Sequence, residues 1–179
     1  MKIPYKVVIL GNHDIVHMMQ HQMDPLKEAK RMLSNAIVLN SEVIEIYGVK
    51  IFGVEWHWFN RWNFSGYERT VEKLMSKENI VGENIHGLKE HWDWMPPGTD
   101  IFVTHHPPAG ILDQGVGSVG TWEVIKERQP GYHLFGHIHS ASGVERVYWE
   151  KGATTFMNSC IMDDDTKYIA YQPHIFDVL

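Results

Sequence analysis

The sequence predicts an α/β fold with a parallel sheet, and two observations point there. First, three short apolar runs end alike, each in a tail rich in Gly, Asn and His. Val7-Val8-Ile9-Leu10 stops at Gly11-Asn12-His13-Asp14, Ile101-Phe102-Val103-Thr104 at His105-His106-Pro107-Pro108, and Leu134-Phe135 at Gly136-His137-Ile138-His139. Second, His105 and His137 are 32 residues apart, with the amphipathic segment Ser118–Arg128 between them. That gap suits one strand–helix–strand unit of about 30 residues. Open α/β sheets carry their sites at the carboxyl ends of the strands, so neighbouring strands would bring the three tails to one crevice.

The elements follow in chain order. Tyr5–Leu10 is a β-branched run halted by Gly11, the pattern of a buried strand. Asp24-Pro25 ahead of Leu26–Leu33 supplies an N-cap and a first-turn proline for a helix. Ile37–Leu39 reads as a short strand, and Glu42–Tyr47 with Lys50–Val54 as a hairpin around Gly48-Val49. Glu55–Tyr67 is an aromatic loop with Trp56, Trp58, Phe59, Trp62 and Phe64, and Glu68–Met75 and Ile85–Trp92 read as helices. Asp100–Thr104 is a second buried strand, Ser118–Arg128 a helix capped by Ser118, and Tyr132–Phe135 a third strand. Val144–Trp149, Ala153–Asn158 and Lys167–Tyr171 read as consecutive antiparallel strands, the first two joined at Glu150-Lys151-Gly152. No repeat, linker or low-complexity stretch divides the chain, so residues 1–179 are expected to form one domain.

Composition narrows the function classes. At 179 residues, with 44% hydrophobic and 21% charged, the chain has an ordinary globular balance and enough length for a core. Its apolar runs fall far short of the roughly 20 residues that span a bilayer. No signal-peptide pattern precedes the first strand, and the single cysteine, Cys160, leaves no internal disulfide framework. These features predict a cytoplasmic protein. A net charge of −6 argues against binding a nucleic-acid polymer. The twelve histidines stand out.

The three tails carry metal-ligand chemistry. Imidazole suits Zn, Fe and Mn, and an Asn side-chain oxygen is a hard, neutral donor. Each fragment by itself also fits a turn or a surface histidine. Together they favour a metal site.

On these residues the sequence resembles the calcineurin-like metallophosphoesterases, through Gly-Asn-His-Asp at 11–14, the His105 tail and Gly-His-Ile-His at 136–139, in matching order and spacing. A closer likeness is to the metallophosphoesterase-domain-containing group related to a brain phosphodiesterase. It rests on Glu55–Phe64, Thr104-His105-His106-Pro107-Pro108, Leu134–His139 and Ile175-Phe176-Asp177. The resemblance implies a sandwich of two mixed sheets flanked by helices. It implies Asn12, His105 and His137 as ligands of one metal and His139 as a ligand of a second. It also implies that His13 contacts the scissile phosphate and protonates the leaving oxygen, oriented by Asp14. His106, beside a ligand, fits contact with phosphate and support of the ligand from behind equally well, and is assigned to the substrate. The implied activity is hydrolysis of a small phosphoester, with a phosphodiester such as a cyclic nucleotide as substrate, using divalent Mn, Fe or Zn. Two cations about 3.5–4 Å apart can clamp phosphoryl oxygens and generate hydroxide.

The family pattern also has earlier Asp-x-His and Gly-Asp blocks, which do not occur ahead of Gly11. The sequence therefore reads as a metallophosphoesterase fold truncated at its N-terminus. Asp113 and Asp163-Asp164-Asp165 do not follow strands, so they do not substitute for the missing carboxylates. Asn12, His105, His137 and His139 are all neutral donors, and two dications without a bridging carboxylate repel strongly at low dielectric. The expectation is one weakly held ion at most. The alternative function is an impaired remnant that binds nucleotide or metal without turnover.

Other residues read more plainly. His17, Met18, Met19 and His21 fit a helix start. His57 suits either packing or base stacking. His86, His91, His133 and His174 read as surface or structural, Asn158 as a strand-end turn residue, and Cys160 as a buried thiol.

Overall fold

The computed structural model describes residues 3–55, 95–162 and 168–178. The aromatic loop beyond Glu55, the two helices expected over 68–75 and 85–92, His57, His86, His91 and Asp163–Asp165 lie outside the described residues.

The fold is mixed α/β, with two sheets flanked by helices. The first sheet pairs β1 (Val7–Val8) and β2 (Ile37–Val38) in parallel. Between them run α1 (Asn12–Gln20) and α2 (Pro25–Met32). The second sheet holds β3 (Glu42–Ile46), β4 (Val49–Gly53), β5 (Ile101–Val103), β6 (Tyr132–Phe135), β7 (Gly143–Trp149) and β8 (Gly152–Asn158). Its strand order is β3-β4-β5-β6-β8-β7. Helix α3 (Val119–Arg128) links β5 to β6.

The pairing has a consequence for the site. Strands β4, β5, β6 and β8 are mutually parallel, so their carboxyl ends share one edge. That edge carries Glu55, His105, His137 and Cys160 in turn. The outer strands β3 and β7 are antiparallel to their neighbours and mostly exposed, as edge strands with one wet face are.

Two sequence expectations change, and one pairing is added to what the sequence predicts. The run Tyr5–Leu10 forms only a two-residue strand, and that strand lies in a separate sheet from β5 and β6. Its tail nevertheless meets theirs, because Ile9 and Leu39 press on Gly53 at the end of β4. A Cβ there would lie 2.8 Å from Leu39 Cβ and 3.0 Å from Ile9 Cγ2, so only glycine lets the layers close. Strands β7 and β8 pair antiparallel as expected, and β8 also returns beside β6 and pairs with it in parallel. Of the expected last strand, Lys167 is outside the described residues, and Ile169 makes an isolated antiparallel bridge to Met162.

Two apolar clusters hold the layers. The larger contains Phe52, Val54, Phe102, Val124, Ile125, Phe135 and Phe156, and joins α3 to the big sheet. The smaller contains Leu10, Ile15, Met19, Ala29 and Val38, and joins α1 and α2 to β1–β2. Capping follows the sequence signals. Asp24 accepts from Lys27 N–H at 3.0 Å, and Ser118 from Thr121 N–H at 3.1 Å.

Candidate metal centre

The first tail turns directly into a helix. Gly11 caps α1, its N–H donating to Asp14 Oδ2 at 2.9 Å, and Asn12 opens the helix. The first turn of α1 thereby fixes Asn12, whose Oδ1 lies 2.7 Å from His105 Nε2. Gly11 is needed for space. Its φ is −92°, but a Cβ would lie 2.8 Å from His105 Cε1 and 3.0 Å from Nδ1, inside the imidazole ring's contact surface. The glycine is thus where helix α1 closes on the end of β5.

The third tail is bent more sharply. Ile138 N–H donates to Gly136 O at 2.9 Å across His137, whose φ is +72°. This is a γ-turn of the rarely used hand. The left-handed backbone therefore falls on His137 itself, whereas neither Gly11 nor Gly136 takes a positive φ. Such a conformation costs about 1–3 kcal/mol and persists where surrounding bonds overdetermine it. It aims His137 Nδ1 at His105 Nε2, 3.1 Å away. Gly136 N–H donating to His105 O at 3.1 Å ties the two tails through the main chain.

Donor atoms on one first-row cation, with bonds near 2.0–2.2 Å, sit about 3 Å from each other. The 2.7 Å and 3.1 Å separations of Asn12 Oδ1, His105 Nε2 and His137 Nδ1 have that spacing. The imidazoles are also held in the lone-pair form. Burial first, then repulsion from His137, His13 and His139, brings His105 down to about 3. Burial, then His139 and His13, brings His137 down to about 4. His13 and His139 therefore lie within electrostatic reach of the pair. His139 begins a short 3-10 turn, His139–Ala141. His13 and Asp14 are exposed.

Two expected residues take other positions. His106, expected at the substrate, is only 7% exposed and stacks on His137 with ring centroids 4.0 Å apart and planes 19° apart. His105, His106 and His137 offer nitrogens within 4.8 Å of one another. Near-parallel stacked rings, however, direct their lone pairs side by side and not toward one ion. His106 is thus packed against the cluster, its protonation suppressed by burial and by His137 and His105. Asp14, expected to orient His13, binds the Gly11 N–H instead, because the start of α1 has backbone donors to satisfy.

The donor set fits a borderline divalent cation: two neutral imidazoles and an amide oxygen, with His139 nearby. Among the described residues, the grouped metal-ligating side chains are histidines only.

Sequence comparison settles the family. A family model described as calcineurin-like phosphoesterase matches residues 1–141. The chain belongs to the calcineurin-like phosphoesterase family. Human metallophosphoesterase domain-containing protein 1 is 30% identical over 195 residues, covering 94% of this chain and 52% of the human protein. The UPF0046 protein C25E10.12 of Caenorhabditis elegans is 30% identical over 194 residues, covering 97% of this chain and 62% of the nematode protein. The chain thus spans about half the length of the human relative. Among solved structures, TT1561 of Thermus thermophilus superposes with a TM-score of 0.42 at 14% identity, covering 86% of this chain and 62% of that one. Members of this phosphoesterase family typically bind divalent metals and hydrolyse phosphoesters. No described helix is long and apolar enough to cross a membrane.

Proposed function

We propose that this chain is a metal-dependent phosphoester hydrolase acting on small phosphodiesters, cyclic nucleotides among them. The observation that carries the reading is the convergence of Asn12 Oδ1, His105 Nε2 and His137 Nδ1 within 2.7 Å and 3.1 Å steps, from three tails distant in sequence. Those three residues would hold one Mn, Fe or Zn ion, with His139 beside them. A bound cation would supply charge stabilisation for the phosphoryl oxygens. His13 is exposed at the start of α1, within electrostatic reach of His105 and His137, and is assigned to protonate the leaving oxygen. His106 supports the cluster from behind. We read residues 1–179 as one domain in a cytoplasmic protein, with no nucleic-acid polymer or membrane as partner.

The neutral donor set favours a second reading, in which the chain binds a nucleotide or one metal without turnover. Mn(II) titration with metal counted per chain, together with hydrolysis of a chromogenic phosphodiester, separates the two. The hydrolase reading expects one bound ion and a rate above buffer that is lost in His13→Asn at unchanged metal content. Metal binding with no rate leaves the second reading. A rate that survives His13→Asn removes His13 from the acid role.

A further inference from the structure

Beneath the cluster lies a tier of buried polar groups that the proposed chemistry does not use. Thr104, 7% exposed, donates its hydroxyl to His106 O at 2.6 Å. A hydroxyl has one hydrogen, so the 2.9 Å contact between Thr104 Oγ1 and His133 Nε2 must have His133 as donor. His133 is completely buried, stacked on Phe102 with centroids 4.9 Å apart and packed against Phe135 and Phe156. The aromatic core thus fixes a ring that fixes a hydroxyl, and the hydroxyl fixes the carbonyl one residue beyond His105.

The other ligand-bearing tail has a counterpart. Asn158, also fully buried, closes β8 and donates from Nδ2 to Ile138 O at 2.8 Å. Its Oδ1 accepts from Cys160 N–H at 3.2 Å. The bond to Ile138 O falls one residue beyond His137, at the exit of the γ-turn. In both tails, then, a buried side chain from the big sheet grips the carbonyl that follows a cluster histidine.

We infer that Thr104, backed by His133, and Asn158 are positioning residues that set the aim of His105 and His137 by clamping the carbonyls of His106 and Ile138. This rests on the metal-site reading above. The γ-turn at His137 is a high-energy conformation that needs such a hold, and the His105–His106 turn has Pro107 and Pro108 after it, which bring no N–H donors. Loss of a supporting partner around a metal ligand typically weakens binding 10- to 100-fold.

The test measures Mn(II) affinity of the full chain by calorimetry, the visible spectrum of the Co(II)-loaded protein, and the melting temperature without metal. Thr104→Val and Asn158→Leu are expected to weaken Mn(II) binding by about tenfold or more and to shift the Co(II) bands. Thr104→Ser, which keeps the hydroxyl, should stay near wild type in both. His133→Phe should weaken binding less than Thr104→Val, because the Thr104 hydroxyl keeps its bond to His106. Wild-type affinity and an unchanged Co(II) spectrum in Thr104→Val and Asn158→Leu, with only melting lowered, would overturn the inference and leave both residues as core packing. If those variants do not fold, His133→Phe decides, with weaker binding supporting the clamp and unchanged binding refuting it. Wild-type protein that takes up no Mn(II) fails the metal-site reading itself, a result distinct from wild-type binding that the variants leave unaltered.

Discussion

The two sheets contribute to the cluster in unequal ways. His105 and His137 leave adjacent parallel strands whose side chains pack into the large aromatic core, and main-chain bonds tie their tails together. Asn12 comes from the thin side of the molecule, through a two-residue strand and the first turn of a helix over a small cluster. The site therefore has a rigid half and a docked half. The sheet side sets the direction of the imidazoles, and the β1–β2 side presents its amide by closing on Gly11 and Gly53.

Emptying each core in turn should separate the two halves most strongly. Phe156→Ala in the large cluster should cost about 3–5 kcal/mol, whereas Leu10→Ala in the small one should fall near 2 kcal/mol, since a thin layer collapses more readily around a void. Denaturant unfolding measures both, and equal losses would erase the distinction. The seam comes next. Gly11→Ala forces a methyl into the His105 ring, so Mn(II) affinity should fall about tenfold, with about 1–3 kcal/mol of stability lost to overpacking. Calorimetry at wild-type affinity would show that the two halves are not held together at that glycine.

Acid titration tests the rigid half alone. Burial brings His133 down to about 3, against about 6.5 in an unfolded chain. Between those values the unfolded state binds the proton and the folded state does not. Stability therefore falls as pH drops from 6.5 toward 3, by up to about 1.4 kcal/mol per pH unit from this group. The expected result is a shallower acid loss in His133→Phe, read from unfolding midpoints between pH 4 and 7. Parallel curves for variant and wild type would mean that His133 is hydrated in the folded protein. Glu55, at the end of β4, has the opposite sign. Burial, with repulsion from Glu42, brings its carboxyl up to about 7, so its contribution declines as pH rises from 4.5 to 7.

Much of this was legible in the chain. The strand over 132–135, the capped helices behind Asp24 and Ser118, and the tail residues Asn12, His105 and His137 all carry local signals: a short apolar and aromatic run stopped by glycine, cap residues, and ligand-type side chains after a strand. His133 and Asn158 were readable only as structural or turn residues. A histidine in a strand and an asparagine at its end have the same local pattern whether they face water or brace a neighbouring loop. For His106, beside His105, the sequence leaves contact with substrate and support of the ligand equally open. Adjacency to His105 in sequence gives no information on which side of the turn the ring will stack.

The α/β class, the family and the ligand-type side chains at strand ends are written in the chain, because periodicity, capping and residue chemistry act over a few neighbours. Folding in three dimensions sets the membership of β1 in a second sheet, the return of β8 between β6 and β7, and the left-handed turn at His137. Those outcomes depend on which surfaces meet and which buried carbonyls find donors, and these are sums over residues far apart in the chain.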